Sequence, residues 1–200
     1  GFAPSVTPLG TCSVQLRPYQ AAAIEEARAR IARGARRLLF VAATGSGKTV
    51  LAGSIIESAA ARGKRVLFLA HRRELINQAY GKLLDFGLPP SSVGVVMATD
   101  PRRRPGAPVQ VASIDTLRHR ARPAADLVFV DECHRALAAS YRTIAADYPN
   151  AVHLGLTATP YRTAGKGLGD AYDELILVAS PRQLIAEGFL VEPRVFTVPE

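Results

Sequence analysis

Short runs of consecutive apolar residues recur along the chain, separated by longer stretches in which apolar residues lie three or four positions apart. Each run predicts a strand that is covered on both faces, because its apolar residues are consecutive rather than alternating. The predicted strands span residues 38–41, 66–70, 93–97, 109–112, 127–130 and 152–156.

The stretches between these runs have helical spacing and end at glycines. Pro18 suits the first turn of a helix, and Gly34, Gly63, Gly87 and Gly188 stand where helices are predicted to stop. The predicted helices span residues 18–33 and 49–62, a stretch ending near 86, a short stretch after 113–117, residues 137–146, and a last stretch capped by Ser180, before an extended segment at 191–198.

Alternation of strand and helix predicts βαβ units and therefore a mainly parallel sheet with helices on both faces, a three-layer α/β/α fold. Residues 1–13 are predicted to be a flexible tail, residues 14–198 the folded domain, and the glycine-rich stretch at 165–169 mobile. In sheets of this kind ligands bind beyond the carboxyl ends of the strands. Residues that directly follow a predicted strand are therefore the first candidates for a functional site.

The composition narrows the class of protein further. Two hundred residues suit one domain with a full core, and no apolar run approaches the ~18 residues that a membrane span needs. No secretion signal precedes the first helix, and Cys12 and Cys133 are too far apart in sequence to indicate a disulfide framework or a metal site. We expect a protein of a reducing compartment, the cytoplasm, with no membrane partner.

The net charge of +8 comes almost wholly from arginine, since only four of the 25 basic residues are lysines. A basic domain suits a polyanion such as nucleic acid, although an arginine-rich but merely solvated surface explains the charge equally well. The segment Arg102, Arg103 and Arg104 stands in a turn-rich excursion. We predict that these three arginines contact the backbone of a duplex.

A glycine-rich turn joins the first predicted strand to the second predicted helix. Gly45 and Gly47 let the backbone curl so that its N–H groups approach phosphate oxygens, and the helix that follows directs its positive end at the same anion. Lys48 is predicted to reach the β- and γ-phosphates of a nucleotide, and Thr49 to bind Mg²⁺. The predicted phosphate loop also includes Thr44 and Ser46, and its first position is Ala42 instead of the usual glycine.

Two carboxylates directly follow the fifth predicted strand. Asp131 is predicted to hold Mg²⁺ together with Thr49, and Glu132 to polarise a water molecule for attack on the γ-phosphate. Lys48, Asp131 and Glu132 are thus the predicted catalytic residues. An acidic strand end is common on its own, and only the phosphate loop makes the catalytic interpretation the better one.

The phosphate loop, the Asp-Glu-Cys-His box at 131–134 and Thr-Ala-Thr-Pro at 157–160, in this order, resemble the first RecA-like domain of a superfamily 2 helicase. The resemblance covers residues 14–198. Leu-Arg-Pro-Tyr-Gln at 16–20 and the Asp-Glu-Cys-His form of the box are most similar to the DNA-directed members, which are restriction-enzyme translocases and DNA-repair helicases. Alanine at the first loop position is familiar in this superfamily.

The resemblance implies further roles. Arg17 and Gln20 are expected to bind ATP, with the Gln20 amide on the adenine edge. His134, Thr157 and Thr159 are expected to couple the nucleotide state to the other motifs by hydrogen bonds, and Cys133 to be packing. The residues expected to contact a nucleic-acid strand are Arg72, Arg73, Ser113 and Thr116.

The resemblance also implies a second RecA-like domain, which would supply arginine fingers and whose motifs are not found in this sequence. We therefore expect a motor domain that uses ATP and Mg²⁺, acts on DNA in preference to RNA, and is weakly active alone. Arg162 is not assigned a finger role. The alternatives are an RNA helicase domain, a P-loop kinase, which would leave Glu132 and Thr-Ala-Thr-Pro unexplained, and a non-catalytic nucleic-acid-binding module.

Overall fold

Seven strands, all parallel, form one sheet in the computed structural model, which describes residues 15–131, 139–158 and 171–192. In chain order the strands are β1 (Arg37–Ala42), β2 (Val66–Ala70), β3 (Val93–Val96), β4 (Val109–Ser113), β5 (Leu127–Val130), β6 (Val152–Thr157) and β7 (Glu174–Ala179). Across the sheet they lie in the order β3-β4-β2-β5-β6-β1-β7. The carboxyl ends of β4, β2, β5, β6 and β1 therefore share one edge, here called the carboxyl edge.

Helices cover both faces of the sheet. They are α1 (Pro18–Ala32), α2 (Lys48–Ala61), α3 (Arg73–Asp85), α4 (Ile114–Arg118), α5 (Ala139–Ala146) and α6 (Pro181–Ala186), with a 3₁₀ turn at Pro90–Ser92. Buried residues of α1, α2, α3 and α6 pack on one face, against strand residues such as Phe40 and Phe129. Residues of α4 and α5 pack on the other face, against Leu39 and Val128. The predicted three-layer α/β/α fold is confirmed.

The sequence pattern located six of the strands but missed β7. In β7 the buried and exposed residues partly alternate, and Leu175 and Leu177 remain 49% and 58% exposed. Within the described residues β7 is hydrogen-bonded only to β1, from which it is separated by more than 130 positions in the chain. The partner that makes these residues a strand is therefore not a sequence neighbour.

The segment between β3 and β4 runs back along the outer edge of β3 and is here called the return loop (residues 97–108). The amide of Val95 donates to the carbonyl of Arg102 at 3.1 Å, so the loop occupies hydrogen-bonding positions that the edge strand would otherwise expose. The side-chain amide of Gln110 on β4 donates to the carbonyls of Arg104 at 2.7 Å and Ala107 at 2.9 Å. These bonds hold the return loop against the sheet.

Candidate active site

The phosphate loop occupies the predicted position between β1 and α2. Gly45 and Gly47 have φ values of +84° and +76°, in the left-handed region that favours glycine. A Cβ at Gly47 would lie 2.5 Å from Nε2 of Gln20, and a Cβ at Gly45 would lie 2.7 Å from Cδ2 of Leu190. Both glycines are therefore required by backbone conformation and by close neighbours.

The first turn of α2 is available to an anion. Its N-cap is Gly47, which has no side chain to accept from the first amides, and the initial N–H groups of a helix have no intrahelical acceptor. Nζ of Lys48 lies 3.5 Å from the carbonyl of Ala42. The hydroxyl of Ser46 is buried and has no hydrogen-bond partner among the described residues. A glycine cradle, uncapped amides and an ammonium group fit a nucleotide's phosphates.

A cavity of about 240 Å³ brings the predicted metal and phosphate ligands together. Lys48, Thr49 and Asp131 all line it, with Gln78 and Lys82 of α3 on the opposite side. The register explains this proximity, because Val130 of β5 pairs with Gly155 of β6, and Leu156 of β6 pairs with Phe40 of β1. One lysine, one hydroxyl and one carboxylate at this position are a suitable set for phosphate and Mg²⁺.

Other predicted residues of this site fall only partly within the described part of the chain. Thr157 is fully buried at the end of β6, in register with Val41, so it lies between the strand that leads to Asp131 and the strand that leads to the loop. Thr44 is exposed at the loop surface. Glu132, Cys133, His134, Thr159 and Arg162 lie outside the described residues, as do Cys12, residues 1–13 and 165–169, and most of the predicted extended segment at 191–198.

Gln20 is bonded inside the protein at both ends of its amide. Nε2 donates to the carbonyls of Ser46 at 2.9 Å and Gly47 at 3.3 Å, and Oε1 accepts from the backbone amide of Arg17 at 2.9 Å. The hydroxyl of Tyr19 donates to the same Ser46 carbonyl at 3.0 Å. In this structure Gln20 therefore supports the phosphate loop, and its contact with adenine stays a prediction.

Phe189 and Leu190, which the sequence did not single out, lie beside the phosphate loop or the residues that support it. The guanidinium of Arg17 donates to the hydroxyl of Tyr19 at 3.0 Å and lies 4.4 Å from the ring centroid of Phe189. Phe189 also packs edge-on against Tyr19, with 5.6 Å between centroids. Phe189 and Leu190 follow α6, where an aromatic residue after a helix stop has no distinctive pattern. No sequence signal could have placed them beside the loop.

The predicted nucleic-acid residues lie at the same carboxyl edge, on neighbouring strands. Arg72 and Arg73 are exposed at the start of α3, after β2. Ser113 ends β4 and caps α4 by accepting from the amide of Thr116 at 3.4 Å. Ala70 and Ser113 are in register across β2 and β4, so the two pairs are close. The Ser113 hydroxyl thus has a structural bond in addition to its predicted contact.

The three consecutive arginines of the return loop do not share one environment. Arg102 makes two bonds to Asp100, from Nε to Oδ1 at 2.8 Å and from Nη2 to Oδ2 at 2.6 Å, and it also lies over the ring of Tyr80. The Asp100 side chain is only 2% exposed, and its hydrogen bonds to Arg102 hold the pKa of the carboxyl below its usual value. Arg102 is thus engaged in holding the loop. Of the three, only Arg103 and Arg104 are exposed, and their contact with a duplex stays a prediction.

Within the described residues, no group of three or more histidine, cysteine, aspartate or glutamate side chains could hold a metal ion. In the same part of the chain, no helix combines the length and the apolar character that crossing a bilayer requires. The metal predicted at Thr49 and Asp131 would consequently depend on nucleotide oxygens and water for most of its ligands, as Mg²⁺ commonly does.

Known proteins match both the sequence and the fold. The family model described as "Type III restriction enzyme, res subunit" matches residues 13–162. The EcoAI type I restriction enzyme endonuclease subunit of Escherichia coli is 31% identical over 197 residues, which cover 91% of this chain and 24% of that protein. The chain spans 24–33% of the length of three curated relatives.

Solved structures give the same picture. The Hef helicase domain of Pyrococcus furiosus is 26% identical, with a TM-score of 0.67 over 84% of this chain and 39% of that chain. The UvsW helicase of bacteriophage T4 has a TM-score of 0.71 at 17% identity, covering 82% of this chain and 60% of that one, and supports the fold alone. With a family match across three quarters of its length and a RecA-like sheet, the chain belongs to the family of the type III restriction enzyme res subunit, among the superfamily 2 helicases.

Proposed function

We propose that the chain is the ATP-binding motor domain of a DNA helicase or translocase, which hydrolyses ATP and moves nucleic acid when joined to a second RecA-like domain. The observation that carries the proposal is the cavity shared by Lys48, Thr49 and Asp131. It lies at the same edge of the sheet as Arg72 and Ser113. A motor needs a nucleotide site and a site for a nucleic-acid strand on one sheet. The second is here called the strand site and comprises Arg72, Arg73, Ser113 and Thr116.

The residues divide the chemical work. The loop amides and Lys48 neutralise the phosphate oxygens as negative charge develops during transfer. Thr49 and Asp131 would hold Mg²⁺, which when bound supplies a Lewis acid for the β- and γ-phosphates. Glu132, next in sequence to Asp131, would accept the proton of the attacking water. Thr157, between the two strands, would pass the state of this site to the residues that follow β2 and β4.

Relatives support the choice of nucleic acid as the partner. The EcoAI subunit is named as part of a restriction enzyme, and Hef and UvsW are named as helicases. Restriction enzymes act on DNA, which favours DNA over RNA for this chain. A second motor domain is part of the proposal, because the chain matches only a part of each curated relative.

The test is nucleotide binding by this chain, measured calorimetrically with Mg²⁺-ATP. Replacing Lys48 with alanine removes charged hydrogen bonds worth about 2 kcal/mol, so we expect affinity to fall about 30-fold. Lys64→Ala is the matched control, because Lys64 is exposed at the opposite edge of the sheet. Equal affinity of the Lys48 variant and the control contradicts the nucleotide site.

A second measurement separates the motor from the alternatives. ATP turnover by the full-length parent protein is compared with no addition, with duplex DNA, with single-stranded DNA and with RNA. Stimulation by either form of DNA supports the proposal, and stimulation by RNA alone favours an RNA helicase. Phosphate transfer to a small acceptor without nucleic-acid stimulation would identify a kinase and refute the motor.

A further inference from the structure

Positive charge is concentrated in one part of the chain. Residues 101–123 contain six arginines and a single carboxylate, whereas the net charge of all 200 residues is +8. Asp100, just before this stretch, neutralises Arg102. Of the other five arginines, two lie on the return loop, Arg118 ends α4, and Arg120 and Arg122 lie on the segment that follows α4. The return loop and the segment after α4 are separated in sequence by β4 and α4, and both line one cavity at the β3 side of the sheet.

The two segments enclose a cavity of about 500 Å³, here called the arginine groove. Its polar lining residues are Arg103, Gln110, Arg120 and Arg122, and the others are apolar. No carboxylate lines the groove in the described chain, and the nearby Asp147 is already bonded to Nε of Arg122 at 2.6 Å. An anion that enters the groove would therefore meet the guanidinium groups of Arg103 and Arg120, which no described carboxylate neutralises, and that of Arg122, which is already paired with Asp147.

Polar groups of the groove also have unused bonding capacity. Nη1 of Arg122 is buried and has no hydrogen-bond partner among the described residues, so this donor lacks an acceptor. Arg103 is exposed, and no described side chain pairs with its guanidinium. Arg120 is exposed and donates only from Nη2, to the carbonyl of Ala98 at 2.7 Å. Most of its donors remain available to phosphate oxygens.

The lining distinguishes between two forms of nucleic acid. Proteins that hold single strands stack the bases on aromatic side chains, whereas a duplex keeps its bases inside and presents its phosphates. No aromatic side chain lines the groove in the part of the chain that the structure describes. Guanidinium groups without a stacking platform suit the backbone of a duplex.

The position of the groove connects it to the proposed strand site. Arg120 stands two residues after α4, the helix that Ser113 caps at the carboxyl edge, and Gln110 stands near the start of β4. Val96, which also lines the groove, pairs with Ala112 next to Ser113, so the groove lies on the β3 side of the sheet beside the proposed strand site. We infer that it holds the phosphate backbone of a duplex arm that extends beyond the strand site. This inference rests on the proposed function and adds a second, outlying contact surface.

The experiment compares two duplex lengths. A duplex of about 10 base pairs is one helical turn, and a second duplex is about three times longer. Affinities of the wild-type chain and of an R103Q/R120Q double variant are measured over a range of salt concentrations. R62Q/K64Q is the control, because it removes the same charge from exposed residues at the opposite edge of the sheet.

We expect R103Q/R120Q to bind the long duplex about tenfold more weakly at low salt, with a shallower salt dependence, by about 0.9 in slope for each lost phosphate contact. Binding of the short duplex and of the control should change less than twofold. Equal losses for R103Q/R120Q and R62Q/K64Q would overturn the groove and leave the proposed function standing. R103Q alone should give part of the effect, and it leaves the Arg120 bond to Ala98 intact.

A different result separates the two proposals. If the wild-type chain binds neither duplex, the groove and the nucleic-acid part of the proposed function both fail, while the Lys48 experiment still tests the nucleotide site. If R103Q/R120Q weakens the binding of inorganic phosphate as much as that of the long duplex, the groove is a simple anion site. The inference of a duplex surface is then wrong.

Discussion

The two proposed phosphate-binding regions, the phosphate loop and the arginine groove near β3, differ in how firmly their side chains are held. At the phosphate loop, the carbonyl of Ser46 accepts from both Tyr19 and Gln20, and Leu190 lies beside Gly45. Near β3, Arg102 and Arg122 are paired with carboxylates, whereas Arg103 and Arg120 remain largely unpaired among the described residues. Chemistry on a phosphate demands positions held within fractions of an ångström, whereas attraction of a polyanion demands mainly charge.

The largest effect is expected from a substitution at Gly47, in the firmly held phosphate loop. Gly47→Ala adds a Cβ that would lie 2.5 Å from Nε2 of Gln20, at a φ of +76°. Combined strain and clash should weaken ATP binding by about a hundredfold. Gly63→Ala is the control, since Gly63 has a φ of +74° but nothing within 4 Å of an added Cβ.

The control variant should lose about 1 kcal/mol of stability and bind ATP normally. Calorimetry for ATP and thermal unfolding for stability measure the two effects separately. If both glycine variants bind ATP equally well, the contact between Gln20 and the loop does not shape the phosphate site.

The next largest effect is expected at Arg102. Arg102→Ala leaves the Asp100 carboxylate buried without its partner, which should destabilise the protein by about 2 kcal/mol. Arg103→Ala, one residue along, should change the free energy of unfolding by less than about 0.5 kcal/mol. Urea unfolding of both variants measures the difference. Similar free energies of unfolding would mean that the ion pair does not hold the return loop.

A smaller effect should distinguish the two possible roles of Gln20. Gln20→Ala removes hydrogen bonds to the carbonyls of Ser46 and Gly47, so the loop loses support whatever base the nucleotide carries. We expect ATP and GTP affinities to fall by similar factors, about tenfold. A loss confined to ATP would instead establish the adenine contact that the resemblance implies. Gln183→Ala, on exposed α6, is the control.

The smallest effect is a pH dependence of stability that arises at His153, away from both the phosphate loop and the arginine groove. Burial lowers the pKa of His153, whose Nε2 donates to the carbonyl of Tyr148 at 3.0 Å. The unfolded chain therefore takes up a proton near pH 6.5, where the folded protein does not, so stability should fall as pH decreases below that value. The loss should not exceed about 1.4 kcal/mol per pH unit.

His153→Gln is the variant that isolates this effect. A glutamine amide keeps a donor for the Tyr148 carbonyl but does not titrate, so the variant should lose less stability than the wild type between pH 6.5 and the folded pKa. The pH dependence of chemical unfolding measures the difference. Parallel curves for the two proteins would show that His153 does not contribute.

Local patterns in the sequence predicted the fold and the central chemistry. Consecutive apolar runs located six strands, and Gly-Lys-Thr at the end of the first marked the loop, because both signals depend on neighbouring residues. β7 was not predicted, because its only described partner strand is β1, which is far away in sequence. The positions of Phe189 and Leu190 were not predicted for the same reason, since only folding brings the end of α6 to the phosphate loop.

The arginines show a different limit. Residues 102, 103 and 104 are all arginine, and the sequence therefore predicted one role for all three. Their environments differ in the structure, because Asp100 and Tyr80 contact the guanidinium of Arg102 and not those of its two neighbours. Charge could be counted from the sequence, but which charges are already neutralised depends on side-chain directions that no local pattern encodes.

The contact between Leu190 and Gly45 links two parts of the molecule that the sequence separates by 145 positions. Gly45 is at the turn that is predicted to surround the phosphates, and Leu190 stands four residues after the end of α6. Because the two residues lie this close together, any displacement of Gly45 on phosphate binding would also displace the segment that follows α6.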